Sequence, residues 1–431
     1  MINLIDKKLW IRFYPIMFAS FFLSMFISTI PYYYQIIEAE EKIDIAKQQE
    51  KKDKCIRYNE SKNLISITCK NITFADISNN NQLQDSGIII QQKQQQSSPS
   101  INRNNNEEKI WLLNAGIKIE KETSLDINSN DVTWLKIIPS KNTPNAITID
   151  GSLKVDSVKI TSWNPETNDY IKFPKDAKYN EALYAKVSRP YIKVNTDATA
   201  PTIIQNSELA YLGYSCSGCG GVTFNGGQNS ILKNNDIHHI YKGFYSKDMI
   251  HMLIEGNYVY ENEKYGIDPH SGTHDIVIKN NTVYNNYAAG IICSADCYNI
   301  VIEENKVYNN GHGNFKRGIA VSKNVYDSII RKNIVYDEDI CISIGRDSHH
   351  NKIYDNILSN CLNGVNVTIN SFNNEIYNNK IEKIDYGLVV DDKSNNNVFH
   401  SNIVTDVKIG VKFEDKTTKG NVFNNNTKVI H

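Results

Sequence analysis

Residues Gly266–Ala289 read GIDPHSGTHDIVIKNNTVYNNYAA, and Gly290–Asn310 continue as GIICSADCYNIVIEENKVYNN. Set one under the other, the blocks share an opening glycine followed by Ile, an asparagine at Asn281 and Asn305, and a closing Val-Tyr-Asn-Asn. Sliding the chain against itself extends the pattern to units starting at Gly221, Gly243, Gly266, Gly290, Gly318, Cys341, Gly364, Gly387 and Gly410, in steps of 22, 23, 24, 28, 23, 23, 23 and 23 residues. The residue after each start is apolar: Val222, Phe244, Ile267, Ile291, Ile319, Ile342, Val365, Leu388 and Val411. Fourteen or fifteen residues after it stands Asn235, Asn257, Asn281, Asn305, Asn333, Asn356, Asn379, Asn402 or Asn425.

Short β-branched runs repeating at this length, with asparagine at one turn, predict an all-β fold: a right-handed parallel β-helix. Each coil lays its strands about 4.8 Å from the next, so a column of like residues becomes a ladder. Asparagine suits an inner turn because it tolerates a left-handed backbone and its amide can pair with the one above and below. Leucine-rich repeats share the period, but their consensus is missing here. The column Tyr260, Tyr284, Tyr308 and Tyr336 reads as a structural aromatic stack.

Strand alternation assigns faces. The first and third residues after each glycine point inward, so the second and fourth point outward. The second-residue column places Tyr245 beside Asp268, and the fourth places Lys247 beside His270. Asp268 and His270 therefore share one outer surface, with a neighbouring residue one strand spacing away in each case.

The segment YGIDPH, Tyr265 to His270, resembles the Asp-Pro-His motif of the periplasmic mannuronan C5-epimerases. The similarity takes in ITSW at Ile160, RPYI at Arg189, ELAYLGY at Glu208 and GFYS at Gly243, and covers roughly 150–310. It implies a right-handed β-helix in which His270 removes the C5 proton of a uronate, with Asp268 beside it. Two positions depart from that family. Ser271 stands where its motif usually has a second Asp, and its charge-neutralising Arg falls near Ala295 and Asp296, where there is no cation.

The chemistry can be weighed separately. Removing a proton alpha to a carboxylate needs a base, a cation for the carboxylate, and a donor on the opposite ring face. An outward histidine on a solenoid is ordinarily a surface residue; the motif singles out His270. Lys247 beside it disfavours imidazolium and could neutralise the substrate. Tyr245 is the candidate donor. Tyr265, Arg317, Lys323 and Arg346 extend the same surface as candidate substrate-binding residues, forming a basic stripe suited to an anionic polymer.

Outside the repeat, an uncharged run from Phe13 to Ile37 follows Lys7, Lys8 and Arg12 and meets Glu38, Glu40 and Glu41. That reads as an uncleaved membrane anchor over 1–37 with the rest of the chain extracytoplasmic. Residues 38–107, charged and then rich in Asn, Gln and Ser, read as stalk and tether, and 108–431 as the β-helix domain. Eight cysteines outside the membrane fit disulfides, with Cys55–Cys69, Cys216–Cys219 and Cys293–Cys297 as local pairs. His270 and His274 invite a metal reading, but four residues of strand separate them too far for easy chelation. Asp391 and Glu414 form an acidic outer column where calcium is conceivable without further support, and no cofactor is expected.

A net charge of -1 argues against a general nucleic-acid binder. The expected partners are an anionic polysaccharide and, through the anchor, a membrane, with the chain a monomer. Three functions follow: a polyuronate C5-epimerase, a β-helix polysaccharide lyase sharing the same proton abstraction, and a non-catalytic glycan-binding or envelope protein.

Overall fold

The computed structural model describes residues 50–92, 108–140, 144–174, 180–311, 316–413 and 417–429, with single helical positions at 38, 42 and 47. The chain divides into Met1–Lys54 and Cys55–His431. The predicted anchor over 1–37 lies outside the described residues. Among the described residues no helix is long and apolar enough to cross a membrane.

Within Cys55–His431 the strands wind as a parallel β-helix with three faces per turn. One coil shows the pattern: Ile267–His270 on the first face, His274–Lys279 on the second and Thr282–Tyr284 on the third. Beyond the first strands, each strand pairs in parallel with its counterpart one coil on, as Thr282–Tyr284 does with Lys306–Tyr308. Inward residues such as Ile267, Ile278, Val283, Ile291, Ile302 and Val307 are fully buried and belong to one continuous core.

The asparagine column is a buried ladder. Asn257 donates its backbone N–H and its side-chain amide to Asn281 Oδ1, both at 2.9 Å, and Asn281 repeats this with Asn305 at 3.0 and 2.9 Å. The left-handed residue is the one before each ladder asparagine: Asn234, Gly256, Asn280, Glu304, Lys332, Asp355, Asn378 and Ser401 all have φ between 54 and 68°. Asn425, counted in the column from the spacing, has φ 50° and takes this corner position, and the ladder continues from Asn402 to Asn426 at 2.9 Å. The last unit thus places its ladder amide sixteen residues after Gly410, and fixed spacing misses it by one.

A second ladder, Asn262–Asn286–Asn310, ends on Glu338, whose Oε1 accepts from Asn310 N and Nδ2 at 3.0 and 2.8 Å. The rings of Tyr260, Tyr284, Tyr308 and Tyr336 stack at 5.0, 5.1 and 4.9 Å on the third face. A further stack on the second-face side, His274, Tyr298, Tyr326, His349 and Phe372, was not read from the sequence.

The opening glycines have a steric cause. A Cβ on Gly243 would lie 2.4 Å from Gly266 O, and one on Gly266 would lie 2.6 Å from Gly290 O. Successive coils approach too closely at this corner for a side chain.

The tether assignment over 38–107 requires correction. Residues 93–107 lie outside the described residues, but Cys55–Gln92 fold as a cap. Ile56–Asn59 pairs antiparallel with Leu64–Ile67, which pairs in parallel with Gly116–Ile119 of the solenoid. Two one-turn helices, Phe74–Ser78 and Asn81–Asp85, bury Phe74, Ile77 and Leu83, and Cys55–Cys69 closes the segment. Six apolar side chains, Ile65, Ile67, Ile72, Phe74, Ile77 and Leu83, cover the open end of the core, and only Leu83 lies within the Asn/Gln/Ser-rich run.

Candidate active site

His270 closes the first-face strand Ile267–His270. Its neighbour on the preceding coil is Lys242–Lys247, in the register Phe244↔Ile267, Tyr245↔Asp268, Ser246↔Pro269 and Lys247↔His270. These are the two side-by-side pairs expected from alternation. On the following coil the register resumes only at its ends, Ile267↔Ile291 and His270↔Ser294. Pro269 has no N–H to give the ladder, and Asp268 lies at the interruption.

Asp268 is outward by alternation, yet its side chain is buried, 1% exposed, and neither carboxylate oxygen has a hydrogen-bond partner. Its nearest ion-pair partner is Lys242, Nζ to Oδ2 3.9 Å. Burial pushes the Asp268 carboxyl up to about 7 against the opposing pull of Lys242, Lys264 and Lys323. Burial also lowers the Lys242 ammonium, with Asp268 acting in the other direction. The same ammonium lies 3.8 Å from the centre of the Tyr245 ring.

Tyr245 and His270 face each other with centroids 5.5 Å apart. His270 Nδ1 is 2.6 Å from Ser271 Oγ, which leaves Nε2 as the ring nitrogen able to act as base; Ser271, at φ 39°, turns the chain to make that contact. Thr273 Oγ1 donates to His270 O at 2.8 Å, holding the turn. Burial lowers the His270 imidazolium to about 4, reinforced by Lys242, Lys323, Lys247 and Lys264 in that order. At neutral pH the ring is an uncharged base. The Tyr245 phenol is raised by burial and then by Asp268, so it stays protonated and able to donate.

The other sequence candidates fall around this centre. Lys247 is beside His270 in register, but its ammonium turns to Asp248 at 3.9 Å and is half exposed. Lys323 and Arg346 occupy left-handed corners at φ 65 and 54°, both exposed. Arg317 is lowered by burial and by the charge of Arg346, while Tyr265 acts the other way, which puts the three in one neighbourhood. Tyr265 lies 5.6 Å from the Lys264 ammonium. His274 begins the second face, stacked on Tyr298 at 4.4 Å and bonded to Asp275 at 2.7 Å, so it does not join His270. Glu414 lies outside the described residues.

Two cations were missed. Lys242 sits immediately before its glycine, the position Arg317 holds three units later, and columns counted forward from glycine pass over it. Lys264, two residues before Gly266, is held by Glu181 at 2.6 Å; Glu181 opens the helix Glu181–Lys186, which is inserted between the third-face strand Lys159–Ser162 and the first-face strand Tyr191–Val194.

A family model for the right-handed β-helix region matches residues 185–335 and 292–428. A mannuronan C5-epimerase of Pseudomonas fluorescens is 28% identical over 143 residues, 30% of this chain. The match spans 25% of that relative's length. The periplasmic alginate epimerase AlgG superposes with a TM-score of 0.66 at 17% identity, covering 84% of this chain and 85% of AlgG. A double mutant of AlgG gives 0.70 at 18% over the same shares. The Dettilon tailspike protein gives 0.53 at 13%, covering 74% of this chain and 61% of its own. The low identities of these structures establish the shared fold, and with the family model matched over more than half of its length, the chain belongs to the right-handed β-helix family.

Proposed function

We propose that this protein is a polyuronate C5-epimerase acting on an extracytoplasmic anionic polysaccharide. The observation that carries the reading is His270, held uncharged among four lysines on an outer sheet face, with a protonated tyrosine 5.5 Å from its ring. The partial match to a mannuronan C5-epimerase and the fold shared with AlgG support it. In this reading His270 Nε2 accepts the C5 proton. The cations that lower His270, Lys242 and Lys323 foremost, stabilise the negative charge that develops on the substrate carboxylate. Asp268 anchors Lys242, and Tyr245 returns a proton from the other side of the ring. Lys247, Tyr265, Arg317 and Arg346 contact neighbouring sugars. The run 13–37 anchors the chain to the membrane, which membrane extraction at high pH will test.

The decisive experiment is deuterium incorporation at C5 of polyuronates incubated with the protein in D₂O. Incorporation that disappears in His270→Ala supports the epimerase. An unsaturated product absorbing in the ultraviolet, without epimerised sugar, would show a lyase instead. Uptake unchanged in His270→Ala removes the assigned base.

A further inference from the structure

Six of the eight cysteines are paired: Cys55–Cys69, Cys216–Cys219 and Cys341–Cys361. Cys293 and Cys297 are thiols, both with no exposed surface, and both belong to the hydrophobic core. They flank a three-residue corner, Ser294 to Asp296. Cys293 lies in the first-face strand Ile291–Ser294, and Cys297 immediately precedes the second-face strand Tyr298–Glu303. Between them Ala295 and Asp296 both adopt φ 62°, which reverses the chain and turns both sulfurs to the inside of the same bend. Cys297 Sγ lies 3.2 Å from Ser294 O, and its thiol adds to burial in raising the Cys293 thiol.

This corner backs the candidate base. Ser294 is the register partner of His270. Ser271 N donates to Ser294 O at 3.0 Å and Gly272 N to Ala295 O at 3.0 Å. The turn that aims His270 therefore hangs from the backbone enclosed by the two cysteines.

We infer that Cys293 and Cys297 form a fourth disulfide that closes this corner into a small covalent ring behind His270. In the step, one thiolate attacks an exogenous low-molecular-weight disulfide and expels a thiol. The second thiolate attacks the resulting mixed disulfide and expels another. Two protons and two electrons leave the cysteines, one S–S bond forms in the protein, and the external disulfide is reduced to two thiols. Burial raises the Cys293 thiol well above its usual range, which disfavours the thiolate in the folded chain. Pairing thus occurs as the chain folds, before the corner is sealed, and once made it resists exchange.

The test uses the full chain, refolded in a mixture of oxidised and reduced glutathione and taken forward when peptide mapping shows Cys55–Cys69 bridged. The protein is unfolded without reductant, alkylated with iodoacetamide and mapped by mass. The expected result is a peptide carrying Cys293 and Cys297 with no label, two hydrogens lighter than the dithiol, and gaining two labels only after reduction. Label on either cysteine before reduction, in the same sample whose Cys55–Cys69 is bridged, overturns the inference. The outcome is independent of whether the protein epimerises any sugar.

Discussion

Lys242 and Asp268 oppose each other across adjacent coils at 3.9 Å, the one lowered and the other raised from its ordinary range by the burial they share. The pair sits directly behind the face that Tyr245 and His270 present.

Lys242 is the first-ranked cation holding the His270 imidazolium down. Lys242→Met removes that charge, so the acid limb of the pH–rate profile, expected near the His270 value of about 4, moves up by about one unit. The lost cation should also lower kcat by about 100-fold. Rates of C5 deuterium exchange between pH 3.5 and 8 check both. An acid limb that stays in place would show that Lys242 does not govern the base.

Asn281→Ala breaks the ladder at its centre. It strands the backbone N–H of Asn257, leaves that residue's side-chain amide with Leu232 O alone, and removes the amide donor to Ile254 O, all inside the core. Each buried polar group left unpaired costs about 1–3 kcal/mol, so a loss of about 3 kcal/mol or more is expected. It should appear as a lower urea midpoint with unchanged slope. Asn280→Gly, which keeps the left-handed corner at an exposed position, should leave the midpoint close to that of the parent.

Glu338 ends the second ladder with Oε2 buried and unpartnered, and burial raises its carboxyl to about 8. An unfolded glutamate ionises near 4.5, so between these values the folded chain holds a proton that the unfolded chain has released. Stability from this group is complete below the lower value and is lost as pH rises through the window, with a slope of at most about 1.4 kcal/mol per unit. Glu338→Gln keeps an acceptor for Asn310 and should flatten stability across the window. Thermal melts at pH 5, 7 and 9 decide it.

Removing residues before Glu108 strips Leu64–Ile67 from the edge of Gly116–Ile119 and uncovers the core end beneath Phe74 and Ile77. Such a chain is expected to aggregate, because a hydrophobic edge strand is left open. A chain that keeps the cap, starting at Lys54, should remain soluble. Light scattering of the two proteins at matched concentration tests the contrast.

Much of the solenoid was legible because each coil repeats the same physical problem. The glycine, the apolar residue after it and the ladder asparagine recur at one spacing, and alternation then placed Asp268 and His270 on one face. What escaped was whatever the repeat does not dictate. Lys242 lies upstream of the glycine from which columns were counted, and its weight comes from burial against Asp268, which no spacing reveals. Lys264 depends on Glu181, 83 residues away. Cys341 and Cys361 are 20 residues apart in sequence, nearly one coil, and meet at a corner. The cap has no repeat, and its few apolar residues are diluted among polar ones. Asn425 misled because an irregular last unit shifts the ladder by one residue.

The cap also gives this solenoid a direction of assembly. Residues 55–92 carry local structure of their own, the Cys55–Cys69 bridge and the antiparallel pair of Ile56–Asn59 with Leu64–Ile67. They leave the ribosome before any coil of the helix does. A nascent chain with such a start can present Leu64–Ile67 as a template on which Gly116–Ile119 registers first, and each completed turn then becomes the template for the next. Winding that proceeds from one end leaves His270 in place only after the turns beneath it are built, so damage to the cap would reach the face that carries His270 without touching it.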